Sequence, residues 1–221
     1  MNCLIVLCAA GLLAGLLYCE KKEFFKAKLV VKTALSSLFI LTAVVQLHPI
    51  MSYYRFILLG LILCLAGDVF LALPREKMFR YGLVAFLLGH LFYVFAFLYV
   101  AGINYWTFIG LAISMIISGG VYFWLRPHLG AMKIPVLCYI IVITTMVAGA
   151  WTVVAAGGLA ACGRMLVFVG ALGFYFSDIF VARHRFLKAE FFNRLAGLPL
   201  YYSGQFLLAF SVGMLKPVVS Q

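Results

Sequence analysis

Apolar stretches of about twenty residues, each closed by a short polar break, fill almost all of this chain, and that is the length a membrane-spanning helix needs. They lie at about 1–19, 29–47, 55–73, 81–100, 104–124, 134–156, 164–182 and 195–214. The breaks hold helix-ending or charged residues: His48-Pro49, Pro74, Gly102-Ile103-Asn104, Arg126-Pro127-His128, Gly157-Gly158, and the stretch from Arg183 to Arg194. No break is long enough for a soluble domain, so 1–221 reads as a single transmembrane domain. Composition agrees: 67% of residues are hydrophobic and 10% charged, against roughly 45–50% and 25% in soluble domains. Lipid offers no partner to an unpaired peptide group, so the expected fold class is all-α: an integral membrane bundle of eight transmembrane helices.

The net charge of +11 does not point to nucleic acid, because the basic residues sit in short breaks between apolar runs. Taking Lys32 with the first break, the odd-numbered breaks hold fourteen of the seventeen Lys and Arg: Lys21, Lys22, Lys26, Lys28, Lys32, Arg75, Lys77, Arg80, Arg126, Lys133, Arg183, Arg185, Lys188 and Arg194. The even breaks and the tails hold three, Arg55, Arg164 and Lys216. The positive-inside rule then places the odd breaks in the cytoplasm and both termini outside. The first apolar run has its basic cluster after it, which suits a first span better than a cleaved leader. The short loops and compact size suggest a bacterial cytoplasmic membrane. Tyr53, Tyr54, Tyr105 and Trp106 read as interfacial belt residues. Gly11/Gly15 and Gly110/Ser114/Ser118 read as helix-packing stripes.

Six cysteines (Cys3, Cys8, Cys19, Cys64, Cys138 and Cys162) are scattered through the apolar runs without a CxxC, and no Cys/His cluster has metal-ligand spacing. No metal or other cofactor is expected. GxSxG, HExxH, a phosphate-binding glycine loop and a dinucleotide fingerprint are all missing from the sequence.

Two acids stand out. Asp68 and Asp178 each lie alone among acidic residues within an apolar span. A carboxylate in a bilayer is costly, so one that is retained faces the protein interior and points to function. Their surroundings are alike, Asp68-Val-Phe-Leu-Ala72 and Asp178-Ile-Phe-Val-Ala182. Asp68 is followed in the next span by Gly89-His90, and Asp178 by Gly204-Gln205. These similarities suggest a parallel internal repeat of spans 1–4 and 5–8. Gly60, Cys64, Asp68 and Ala72 form a small-residue stripe, which allows either close helix approach or room for a ligand.

Counting along helices at 1.5 Å per residue puts both carboxyls roughly 7–9 Å from the cytoplasmic edge. The same count brings Lys32, His90, Tyr93, Tyr201, Tyr202 and Gln205 into that inner half of the membrane. Each has a plainer reading too. Lys32 also fits an interfacial topology anchor, His90 a packing histidine, and the tyrosines and Gln205 helix–helix hydrogen bonds.

Two buried carboxyls suit acid–base chemistry. Burial and a second nearby carboxylate separate the protonation of such a pair, leaving one acid and one anion for substrates that pass through oxocarbenium-like states. Intramembrane acids in a repeat also fit a small proton-coupled or lipid transporter, and a membrane assembly subunit is a third class.

Five stretches, in this order, resemble the YhhN/TMEM86 family of multi-pass membrane proteins: Lys32; Gly67-Asp68; Gly89-His90 with Tyr93; Phe176-Ser177-Asp178 with Ala182; and Tyr201-Tyr202 with Gln205. The resemblance covers nearly the whole chain and departs from the family pattern at Thr33, where proline commonly follows the lysine. It implies a lysoplasmalogenase that cleaves the vinyl-ether bond of 1-alkenyl-glycerophosphoethanolamine or -choline to a fatty aldehyde and the glycerophospho head. It implies Asp68 and Asp178 as the catalytic pair. Lys32, His90, Tyr93, Ser177, Tyr201, Tyr202 and Gln205 would bind or orient the substrate. Its partners would be a lysophospholipid substrate and the surrounding membrane lipids, with no obligate protein partner.

Overall fold

Each apolar stretch forms one long helix. The computed structural model describes residues 2–218, in eight helices: α1 (Asn2–Lys21), α2 (Phe25–Val45), α3 (Met51–Ala72), α4 (Glu76–Ala101), α5 (Tyr105–Leu125), α6 (Lys133–Ala155), α7 (Ala161–Phe186) and α8 (Phe191–Met214). All eight are long and apolar enough to cross a membrane. Two short 3-10 turns, Arg126–His128 and Gly130–Met132, join α5 to α6. No strand occurs among the described residues, only an isolated bridge between Leu159 and Pro217.

The helices outrun the apolar stretches mainly at the basic end of the bundle, where α2, α4, α6 and α8 begin. There α4 starts at Glu76 and α7 runs on through Arg183-His184-Arg185 to Phe186. Hydropathy marks only the length that needs lipid. The helical hydrogen-bond ladder continues past it into charged residues. At the other end, Gly102 closes α4 at φ +64°, with its N–H bonded to the Leu98 carbonyl. Asn104 then caps α5 by accepting from the Trp106 N–H at 2.9 Å. Two prolines fall inside helices. Pro135 lies in the first turn of α6, where a missing N–H costs little, and Pro199 lies inside α8.

Glycines let the helices carrying the acids approach their neighbours closely. A Cβ on Gly60 of α3 would overlap the Tyr93 ring of α4, and one on Gly89 would lie 3.1 Å from the Gly60 carbonyl. On the other side, a Cβ on Gly204 of α8 would lie 2.7 Å from the Gly170 carbonyl of α7. At Gly60 and Cys64 the stripe is therefore a packing stripe, filled by α4. Gly110 likewise sits under Trp151. Gly11 and Gly15 differ from expectation: among the described residues nothing approaches the positions of their Cβ atoms.

The core joins residues of every helix except α5, including Leu16, Phe39, Ile57, Phe97, Met146, Phe174 and Leu208. Outward faces remain apolar, as on α5 with Phe108, Ile116 and Phe123, which suits lipid contact. Tyr53 is not a belt residue. It is fully buried, and its hydroxyl meets the Ser211 hydroxyl at 2.6 Å. Tyr105 and Trp106 are exposed, and Tyr54 stacks on His48 at 3.7 Å.

Candidate active site

A cavity of about 110 Å³ lies in the basic half of the bundle, walled by residues of α2 to α8. Asp68 and Asp178 both line it, with Lys32, Ser177 and Tyr201. Most other lining residues are apolar, among them Leu71, Leu83, Phe86 and Ile143.

The two acids have different surroundings. Asp68 is 1% exposed. Its Oδ1 pairs with Lys32 Nζ at 3.0 Å. Its Oδ2 accepts from Ser36 Oγ and from the Tyr201 hydroxyl, each at 2.6 Å. An ammonium and two hydroxyls thus surround a buried anion, the arrangement that makes such a charge tolerable. Tyr202 adds an outer contact, its hydroxyl 3.4 Å from Ser36 Oγ. Ser36 is one turn after Lys32 and shares its face of α2.

Asp178 has no cation partner among the described residues. Its Oδ2 accepts one hydrogen bond, from the Tyr139 hydroxyl of α6 at 2.5 Å. It is only part-buried and faces the cavity. His90 backs the Tyr139 ring edge-on at 5.4 Å and the Phe174 ring at 4.4 Å. Both ring nitrogens of His90 are buried without a protein hydrogen-bond partner among the described residues. A separate polar group lies behind this layer: Tyr93 donates to Gln205 Oε1 at 2.7 Å and lies 3.8 Å from Cys64 Sγ.

Charged groups close the basic end. Arg183 of α7 donates to Asn193 Oδ1 at 2.6 Å and to Glu190 Oε2 at 2.8 Å. Lys188 also pairs with Glu190, at 2.5 Å. Lys188 first and Arg183 second hold the Glu190 carboxyl below its ordinary range. These contacts pin the loop between α7 and α8 and set the start of α8.

The YhhN family model matches residues 27–212. The chain belongs to the YhhN family. It is 31% identical over 170 residues to the lysoplasmalogenase of Mycobacterium tuberculosis, a match covering 74% of this chain and 61% of that protein. It is 33% identical over 157 residues to mouse lysoplasmalogenase TMEM86B, covering 70% and 62%. It is 31% identical over 168 residues to human lysoplasmalogenase TMEM86A, covering 70% and 64%. The chain thus spans about three-fifths of the length of the curated relatives it matches. No solved structure matches it.

Within this YhhN chain, the residues singled out in the sequence fall into three groups. Lys32, Asp68, Tyr201 and Tyr202 form one hydrogen-bonded cluster. Asp178 and Ser177 face the cavity beside it, but Ser177 Oγ donates to the Phe174 carbonyl of its own helix at 2.7 Å. His90, Tyr93 and Gln205 form the third group and, like Tyr202, do not line the cavity. Two direct partners of the acids, Ser36 and Tyr139, went unrecognised in the sequence. Ser36 carried a signal, its i+4 spacing from Lys32. Tyr139 carried a weaker one, lying six residues after Lys133 at the same depth as Asp178.

Proposed function

We propose that this YhhN protein is a membrane-embedded lysoplasmalogenase, hydrolysing the vinyl-ether bond of 1-alkenyl-glycerophosphoethanolamine or -choline to a fatty aldehyde and the glycerophospho head. One observation carries the mechanism: two carboxyls, one paired with a cation and one with a neutral hydroxyl, open on the same apolar cavity. The relatives named lysoplasmalogenase support the substrate.

Asp68, held by Lys32, Ser36 and Tyr201, is the anion. Asp178, with a hydroxyl and no cation beside it, is the proton donor. The Asp178 proton adds to the β-carbon of the vinyl ether, leaving an oxocarbenium ion at the carbon that bears oxygen. The Asp68 carboxylate stabilises that cation without reorganising. Water then adds to the cationic carbon, and its proton returns to Asp178. The resulting hemiacetal breaks its bond to the glycerol oxygen, giving aldehyde and alcohol. Tyr139 orients Asp178, and His90 packs the Tyr139 ring in place. The positive-inside rule sets the basic end, and so the cavity, in the cytoplasmic half of the membrane. The lysolipid then enters from the cytoplasmic leaflet, with its tail among Leu71, Leu83 and Ile143.

The test is aldehyde release by the purified protein in detergent with EDTA present, on the vinyl-ether lysolipid and its saturated alkyl-ether analogue. Aldehyde from the vinyl ether alone is expected. Asp68→Asn and Asp178→Asn should each lose about 10²–10⁴-fold in rate with folding retained. Full activity in either variant removes that residue from the mechanism. A folded protein that releases no aldehyde is not this enzyme, and lipid flux into liposomes then tests the transporter reading.

A further inference from the structure

A lysolipid brings a phosphodiester as well as a vinyl ether, and its negative charge needs a partner near the cavity. Lys32 is not available for it, because that ammonium is committed to Asp68 at 3.0 Å. Arg183 is hydrogen-bonded to Asn193 and Glu190 and does not line the cavity. Asn193 does line it, but its Oδ1 accepts from Arg183 and its Nδ2 donates to the Lys188 carbonyl at 2.8 Å.

Arg194 remains. It is the second cation of the cavity lining, and no hydrogen bond engages it among the described residues. Its Nε is buried without a hydrogen-bond partner. That Nε faces Glu20, whose Oε2 lies 3.8 Å from it and 3.6 Å from Lys28 Nζ. One carboxylate facing two cations leaves a net positive charge, with both contacts longer than a charge-assisted hydrogen bond.

We propose that Arg194 is the phosphate-binding residue of this site, taking the phosphodiester of the lysolipid at the basic mouth of the cavity. The inference rests on the reaction proposed above. Position along α8 supports it. Arg194, Gly197, Leu198 and Tyr201 follow one face at i, i+3, i+4 and i+7, and all four line the cavity. Tyr201 touches Asp68. Seven residues of helix place the Arg194 backbone about 10 Å nearer the basic end than that of Tyr201. The lipid's glycerol backbone and the arginine side chain together cross that interval. The planar guanidinium offers paired donors that match phosphate oxygens, which a lysine would not.

The test compares two vinyl-ether substrates, a 1-alkenyl lysophosphoethanolamine and the corresponding 1-alkenyl-glycerol without phosphate. Arg194→Gln should lower kcat/KM on the phospholipid about ten- to a hundredfold more than on the alkenyl-glycerol, chiefly through KM. Arg194→Lys should recover part of that loss. Equal losses on both substrates, or none on the phospholipid, overturn the assignment. A binding arm does not depend on turnover. The saturated 1-alkyl lysophosphoethanolamine should raise the melting temperature of the wild type and much less that of Arg194→Gln. Equal stabilisation of both proteins overturns the site even if no vinyl ether is cleaved. Inorganic phosphate giving the wild type the same stabilisation as the analogue, at equal concentration, overturns the lipid as the source of the phosphate.

Discussion

Lys32→Met tests the charge arrangement on which the mechanism depends. In the native protein Lys32 and Asp68 are 3.0 Å apart, with side chains 7% and 2% exposed. Removing the lysine leaves Asp68 with the Ser36 and Tyr201 hydroxyls and no countercharge. Each neutral hydrogen bond contributes about 0.5–1.5 kcal/mol, too little to replace an ammonium. Breaking one side of a buried ion pair costs about 3–5 kcal/mol. At about 2–4 °C per kcal/mol for a chain of this size, the melting temperature should fall by roughly 6–20 °C. The cysteines supply the assay. Cys19 and Cys64 are buried, while Cys3, Cys8, Cys138 and Cys162 are exposed. A thiol-reactive dye in detergent therefore reports unfolding as a second wave of labelling. Adding Asp68→Asn to Lys32→Met should restore stability, because no uncompensated charge remains. If Lys32→Met melts within about 2 °C of the wild type, or the double variant is no more stable than the single one, the buried pair is not what holds Asp68.

Ser177→Ala should change turnover within about twofold, or ~0.5 kcal/mol, since the hydroxyl bonds its own helix; a larger loss of aldehyde release would give Ser177 a part in the reaction. Tyr139→Phe removes the Tyr139 hydrogen bond to Asp178 and should lower kcat about ten- to a hundredfold with KM little changed, measured by steady-state aldehyde release. Gly60→Val drives a side chain into the Tyr93 ring and should destabilise by about 1–3 kcal/mol, whereas Gly11→Ala meets open space and should be neutral or up to ~1 kcal/mol more stable; the same dye assay reads both.

The eight helices were legible because lipid imposes one length and one hydrogen-bonding solution on each span, and no tertiary choice competes with it. Part of the site was legible for a related reason. Depth along a membrane helix can be counted from its charged end, and the count placed Tyr201 level with Asp68, where a 2.6 Å hydrogen bond joins them. Depth does not give azimuth. His90 and Gln205 lie at suitable depth but are not on the cavity wall: His90 packs on the Tyr139 and Phe174 rings, and Gln205 accepts from Tyr93. Tyr53 stands at the beginning of α3, where belt tyrosines occur, yet it turns inward to Ser211. Ser36 and Tyr139 were hidden for another reason: a lone hydroxyl in an apolar helix looks the same whether it bonds its own backbone or an acid on the next helix.

The two acids share a common geometry and one decisive difference. Asp68 of α3 takes its partners partly from α2, and Asp178 of α7 takes its partner from α6, so each acid turns to the helix before its own. Lys32 is the eighth residue of α2 and Tyr139 the seventh of α6. If the halves are copies, a tyrosine stands close to where the other half has a lysine, and that exchange makes one acid a paired anion and the other a proton donor. Tyr139→Lys then tests the division of labour directly. It places an ammonium beside Asp178 and makes both acids paired anions, so no proton is left for the vinyl ether. Aldehyde release should fall well below that of Tyr139→Met, which removes the hydroxyl without adding charge, by about the 10²–10⁴-fold of a lost general acid. Equal activity in the two variants, both folded by the dye assay, would show that the charge beside Asp178 does not decide its role.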